Sequence, residues 1–211
     1  MGVNAKYAYV ALQRAIEHSG MKPSDYEENP RCASILGQGG TSIPDIVETV
    51  TAVTSGAPRW KNKVGPFRVT RSMGSTVSAV LSTAFKLQGP SYSISSACST
   101  GAHCIGTGME QIMLGKADVA FCGAGEAEDW GFTSMFDCMG ALSTGRNDDP
   151  TKASRCASEA KRSEEKREHT SKTSKLTIIF HSIRRLAPSS LGAGRSIRPV
   201  TVSLLLEVGE L

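Results

Sequence analysis

The chain has 211 residues, 39% of them hydrophobic and 21% charged, proportions ordinary for a soluble globular protein. It shows no stretch of eighteen apolar residues and no signal-peptide pattern, and Lys6 stands where N-myristoylation needs Ser or Thr, so a soluble cytoplasmic protein away from membranes is expected. Up to Arg155 it carries 14 basic and 14 acidic side chains and beyond it 10 and 6, so the net charge of +4 falls in the last part and residues 1–155 are no nucleic-acid binder by charge.

In chain order, Ala8, Leu12, Ala15 and Ile16 mark a helix ended by Gly20, with Pro23 beyond it. Arg31 to Leu36 reads as a short strand running into Gly37-Gln38-Gly39-Gly40. That run lacks the Lys-Ser/Thr ending of a phosphate loop and is expected to be a tight turn. Thr70 is expected to cap a second helix, with Met73, Val77, Val80, Leu81 and Ala84 on one face and an end at Gly89-Pro90. Tyr92 and Ile94 then alternate with serines, as in a half-buried strand. Ile105, Met109, Ile112 and Met113 follow as the stripe of an amphipathic helix that stops at Gly115. A strand over Asp118 to Gly123 completes a β-α-β unit whose strands should be parallel.

Cys98 sits where the strand turns into the helix. Unpaired N–H groups and the positive end of the dipole at a helix N-terminus stabilise an anion, and the thiolate is the reactive form of cysteine. Ser99, Thr100, Gly101 and Ala102 are small enough to let a substrate approach. Most free cysteines are inert packing; the succession of strand, turn and helix singles out Cys98 among Cys32, Cys98, Cys104, Cys122, Cys138 and Cys156. These six form no C-x-x-C pair and no zinc-ligand spacing, so reduced thiols and no metal are expected. His103 is no substitute base, because five residues along a helix turn the side chain by roughly 140°, and a structural role is expected for it. His18 lies near a helix C-terminus, and His169 and His181 lie in the tail.

The run from Ser93 to Gly106, Ser-Ile-Ser-Ser-Ala-Cys-Ser-Thr-Gly-Ala-His-Cys-Ile-Gly, resembles the nucleophile segment of β-ketoacyl-acyl-carrier-protein synthases, the condensing enzymes of fatty acid synthesis. Phe136-Asp-Cys-Met-Gly-Ala-Leu-Ser-Thr144, followed by Asn147 to Arg155, is similar to the family's downstream segment, and the wording of both looks most like the type I form. The resemblance runs from about Ala5 to Arg155. It implies an α/β fold, thiolase-like with layered α/β/α architecture, of which only part of the N-terminal half is present. It also implies that Cys98 accepts the acyl group from the phosphopantetheine arm of acyl carrier protein, that its own N–H supplies one oxyanion donor, and that no other cofactor is needed. Met73 and Phe136 match positions lining the family's acyl pocket; for Met73, ordinary core packing is an equal expectation. Arg59, Lys61 and Lys63 fall where the family meets the acidic carrier protein, although such a charge run is also what a solvated face looks like. A homodimer is the family's assembly. The second oxyanion donor, the two histidines that promote malonyl decarboxylation and a supporting lysine belong to a C-terminal half that does not appear in this sequence.

Composition changes near residue 155: eighteen of 21 glycines lie in residues 1–145 and none between Gly145 and Gly192. Residues 1–155 are therefore expected to form a partial synthase domain, and residues 156–211 a non-homologous tail, disordered or read in a changed frame. Ala157 to Lys175 is almost all Ser, Lys, Arg, Glu and Thr, with little to bury. Leu176 to Phe180 and Val202 to Val208 are short apolar runs with no fold assigned. Two rival functions remain open at this level: a thiolase or other cysteine acyltransferase on the same fold, and a non-catalytic fragment that binds carrier protein or a partner.

Overall fold

The structure is a computed structural model that describes residues 1–149 and the backbone of two further strands, residues 177–184 and 202–207. It divides into two compact units, Met1–Ala127 with Ile178–Leu206, and Glu128–Thr177 with Glu207–Leu211.

The first unit opens with helix α1 (Val3–Ser19), whose Ala5, Ala8, Leu12, Ala15 and Ile16 recur every three or four residues and are buried. Gly20, at φ 68°, ends it in the left-handed conformation that the sequence leads one to expect. Short helix α2 (Pro23–Tyr26) leads to strand β1 (Cys32–Gly37), buried throughout. Helices α3 (Ile43–Thr54), α4 (Trp60–Val64), α5 (Arg68–Ser72) and α6 (Thr76–Ala84) follow, then strand β2 (Ser91–Tyr92), helix α7 (Thr100–Met113) and strand β3 (Val119–Ala124). The sheet order is β2-β1-β3-β4-β5, with β4 (Thr177–Arg184) and β5 (Val202–Glu207). Both β2 and β3 run parallel to β1, so the β2-α7-β3 unit is parallel as expected, with β1 lying between its strands.

Alternation along the strands sorts the core into two layers. Cys32 and Leu36 of β1 with Val119 and Phe121 of β3 meet Ala8, Leu12, Val77 and Leu81 of α1 and α6. Ala33, Ile35, Ala120 and Cys122 face the other way and meet Cys104 and Ile112 of α7. Helices thus cover both faces of the sheet, and each large apolar side chain buried this way contributes about 1.5–3 kcal/mol. Arg31 closes the shared start of β1 and β3 with paired bonds to Asp118, both 2.6 Å, and a third to the Gly115 carbonyl at 3.0 Å.

Three local expectations need correction. Thr70 does not cap a helix: it lies inside α5, and the chain breaks at Met73–Ser75 before α6 begins. Gly74 is a poor helix former, and the break is held from outside, because Thr41 Oγ1 donates to the Ser72 carbonyl at 2.6 Å and Gln38 Nε2 to the Met73 carbonyl at 3.2 Å. Met73 consequently leaves the apolar stripe and is 49% exposed.

The strand expected through Ile94 stops at Tyr92, since Ser93 Oγ donates to the Leu36 carbonyl at 2.6 Å and bonds Ser78 Oγ at 2.7 Å, a side-chain alternative to the ladder. On α7 the period is right but the phase is shifted. Thr100, Cys104, Gly108, Gln111 and Ile112 are buried, whereas Met109 and Met113 are exposed. Close packing explains the shift, because a β-carbon on Gly108 would press into Cys122 Sγ and lie 3.3 Å from that of Ala120. In the tail, to which the sequence assigns no fold, residues 177–184 and 202–207 are strands. β4 lies antiparallel to β3 from Val119↔Arg184 to Cys122↔His181, satisfying a strand edge that would otherwise be open. The stretch expected to be solvated, residues 157–175, lies outside the described residues.

In the second unit, α8 (Trp130–Cys138) is capped by Asp129, whose carboxylate accepts from the Gly131 N–H at 2.8 Å. Among the described residues no helix is long and apolar enough to cross a membrane.

Candidate active site

Cys98 is presented by a turn that the surrounding backbone over-determines. Ala97 has φ 49°, a left-handed conformation that costs a residue with a β-carbon about 1–3 kcal/mol. Thr100, only 1% exposed, holds it there: its hydroxyl donates to the Ala97 carbonyl at 2.7 Å and accepts from the Ser96 N–H at 2.8 Å. The Ser99 N–H reaches the Ser96 carbonyl at 3.0 Å and the Thr100 N–H the Ala97 carbonyl at 3.1 Å.

The helix proper starts at Thr100 with Ser99 as its cap, so Cys98 stands just outside the first turn. Of the first four N–H groups, those of Thr100 and His103 are closed onto Ala97 and Ser99. Those of Gly101 and Ala102 find no protein acceptor among the described residues and remain at the end of α7 nearest Cys98. The positive end of the helix dipole lies there.

The floor of the turn is the Gly37–Gly40 segment, whose tight-turn reading is too modest. A β-carbon on Gly37 would collide with the Ile94 carbonyl and lie 2.6 Å from the Thr100 methyl; one on Gly39 would lie 2.7 Å from Glu126 Oε2 and 3.0 Å from the Ala97 carbonyl. These glycines let the end of β1 pass directly beneath the Cys98 turn.

Glu126, just beyond β3, was not singled out from the sequence, yet it ties this floor together. Its Oε2 accepts from Gly39 N–H at 2.6 Å and Gly40 N–H at 3.2 Å, and its Oε1 from Asn4 Nδ2 of α1 at 3.1 Å. Burial pushes the Glu126 carboxyl pKa up, and the bonds from Gly39, Gly40 and Asn4 pull the other way. Asn4 Nδ2 also reaches Gln38 Oε1 and the Gly40 carbonyl, both at 3.1 Å. The sequence signal was faint: a polar Asn among the apolar positions of α1 and a carboxylate directly after a buried strand.

Among the other described cysteines, Cys32, Cys104 and Cys122 are buried and Cys138 is exposed. Burial raises the Cys104 thiol pKa against bonds from the Ile94, Gly123 and Gly37 backbone. Burial, then the neighbouring Cys104, raises that of Cys122 far more. His103 is exposed on α7. Arg59, Lys61 and Lys63 come together on α4 and its cap, all exposed, with Lys61 Nζ 5.8 Å from the centre of the Trp60 ring. Met73 lies between α5 and α6, joined through Gln38 to the Gly39 turn. Phe136, 38% exposed, lies on α8 in the second unit. No group of three or more His, Cys, Asp or Glu side chains able to hold a metal occurs among the described residues.

The comparisons with known proteins agree with one another. The family model for the β-ketoacyl synthase N-terminal domain matches residues 1–160. The chain is 50% identical over 149 residues to 3-oxoacyl-acyl-carrier-protein synthase 1 of Escherichia coli (strain K12), a match covering 71% of this chain and 36% of that protein. It is 44% identical over 155 residues to the enzyme of the same name from Haemophilus influenzae, covering 74% of this chain and 37% of that one. In structure it is similar to a β-ketoacyl synthase from Burkholderia phymatum STM815, with TM-score 0.62, 28% identity, and coverage of 71% of this chain and 36% of the other. The chain therefore spans little more than a third of the length of these relatives, with their thiolase-like fold. With the family model matched over most of its length and half the residues shared with a curated synthase, the chain belongs to the β-ketoacyl synthase family, through the N-terminal domain.

Proposed function

We propose that this chain carries the acyl-accepting step of a β-ketoacyl-acyl-carrier-protein synthase, with Cys98 as the nucleophile. In this reading the Cys98 thiolate attacks the carbonyl carbon of a carrier-bound acyl thioester, and the displaced electron pair rests on oxygen, where the Cys98 N–H holds it as one oxyanion donor. Collapse of the tetrahedral intermediate completes the Cys98 thioester and breaks the bond to the sulfur of the carrier's pantetheine arm. That sulfur leaves as a thiolate and takes a proton from water. The step calls on no metal and no organic cofactor beyond the pantetheine arm.

The observation that carries the reading is the exposed Cys98 at the head of α7, on a turn held by Thr100, within the residues that the family model matches. We further assign Met73 and Phe136 to the acyl chain and Arg59, Lys61 and Lys63 to the acidic carrier protein. The exposure of all three cations on α4 and its cap supports that assignment. Condensation with malonyl units needs further donors for the enolate and its carboxylate.

Mass spectrometry after incubation with acyl-carrier protein tests the reading. The expected result is an acyl adduct on the Cys98 peptide that is absent in Cys98→Ala, with more carrier required once Arg59, Lys61 and Lys63 are changed to Glu. An adduct from acyl-coenzyme A but not from acyl-carrier protein would favour a thiolase-like acyltransferase. Carrier binding without an adduct from either donor would leave a non-catalytic carrier-binding role.

A further inference from the structure

We propose that Glu126 is a positioning residue for Cys98: its carboxylate is a strut that fixes the Gly39–Gly40 turn against Ala97 and so holds the nucleophile turn in its left-handed form. The proposal rests on the reading of Cys98 as the nucleophile.

Two segments far from Glu126 in the chain converge on its carboxylate. From the turn after β1 come the Gly39 and Gly40 N–H groups, and from α1 comes the Asn4 amide, itself 3% exposed. Glu126 cannot withdraw, because the residue before it is wedged: a β-carbon on Gly125 would lie 2.7 Å from both the Asn4 carbonyl and the Ala8 β-carbon, and the Gly125 N–H donates to the Gly37 carbonyl at 3.0 Å. Gly39 faces the peptide that precedes Cys98 on the same side as Glu126: a β-carbon there would stand 2.7 Å from Glu126 Oε2, 3.0 Å from the Ala97 carbonyl oxygen and 3.2 Å from its carbon. The Ala97 carbonyl is also the acceptor of the Thr100 hydroxyl and N–H. Displacing Gly39 therefore moves an acceptor on which the α7 N-terminus is built. All partners of the carboxylate are donors, the arrangement that a charged acceptor satisfies best.

Native-state alkylation of the full chain by iodoacetamide, read as the ratio of Cys98 to Cys138 labelling rates, tests this apart from acyl transfer. In Glu126→Ala the ratio should fall a few-fold, to about one, which is the size of the helix-end effect that the turn secures. Glu126→Gln should recover part of it, because the amide oxygen can still accept from Gly39 and Gly40, while its NH2 faces the Asn4 amide and loses that bond. Leu12→Ala, which destabilises the same core away from the turn, is the control for stability alone and should leave the ratio unchanged. If Glu126→Ala does not fold, Gly39→Ala presses on the same contact and should lower the ratio itself. An unchanged ratio in both, or an equal fall in Leu12→Ala, overturns the proposal. Acylation by acyl-carrier protein is measured in parallel on the wild type. Its absence there sinks the acyltransferase reading alone, and an unchanged alkylation ratio sinks the role of Glu126 alone.

Discussion

Cys98 and Cys138 are both exposed, free thiols beside a helix end, and they stand at opposite poles. Cys98 precedes the first turn of α7, near N–H groups still open to an anion, while Cys138 is the last residue of α8. The chain closes around Cys138 with carbonyls: Met135, Phe136 and Asp137 accept from the N–H groups of Met139, Ala141 and Gly140 at 3.2, 2.9 and 2.8 Å. Negative partial charge gathers at that end. Exposure alone, then, does not select a nucleophile. The direction of the helix does, and behind Cys98 stands a backbone turn with four internal hydrogen bonds.

The contrast is most sharply tested by removing each thiol. Cys98→Ala should abolish acyl transfer from carrier protein and Cys138→Ala should leave it intact, as read by radiolabel on the protein; label surviving in Cys98→Ala would end the assignment. Next in size is Gly108→Ala. Its methyl would push Cys122 and lift α7 from β3, at a cost of about 1–3 kcal/mol typical of overpacking. Thermal denaturation should show the loss in Tm, together with a changed Cys98 alkylation rate and an unaltered Cys138 rate.

In the unmodified chain the Cys98 to Cys138 labelling ratio at neutral pH should exceed one. The helix-end effect of about 0.3–1 kcal/mol at each pole accounts for a few-fold difference. Faster labelling of Cys138, Cys32 or Cys122 would contradict the polarity argument.

The smallest effect expected is on stability against pH. Burial raises the Glu126 carboxyl pKa above 4.5, so the folded state binds this proton more tightly than the unfolded chain. Its contribution is fully present below the unfolded value and is lost as pH rises through the raised folded value. Urea unfolding from pH 4 to 7 should show this decline in the wild type and a flatter profile in Glu126→Gln; parallel profiles would remove Glu126 as its source.

What the sequence reveals about the site follows from how local each interaction is. Cys98 and the β2-α7-β3 order are legible because strand, turn and helix succeed one another within some thirty residues. Glu126 is not, since its partners Gly39 and Asn4 lie 87 and 122 residues away along the chain. The break at Met73 escapes for the same reason, its carbonyl being taken by Gln38, 35 residues upstream. The phase of α7 escapes on different grounds. Counting Ile and Met as the buried stripe ignores how closely the helix lies on the sheet, where Gly108 and Cys104 fit and methionine does not. In the tail the apolar runs were visible, but which strand edge β4 would meet depends on β3, more than fifty residues before it.

Thr100 has a further consequence for mutational freedom. Its hydroxyl serves as both donor and acceptor within the turn, and its methyl fills the space beside Gly37 that a β-carbon there would need. Serine would keep the hydroxyl and leave a gap; valine would fill the gap and break both bonds. Position 37 cannot compensate, because the Ile94 carbonyl blocks any side chain whatever stands at 100. In a saturation library selected for acylation, positions 37 and 100 should tolerate almost nothing, while exposed Ser99 and Ala102, beside the thiol itself, should vary more freely. The residues least free to change would then be two that never touch the substrate.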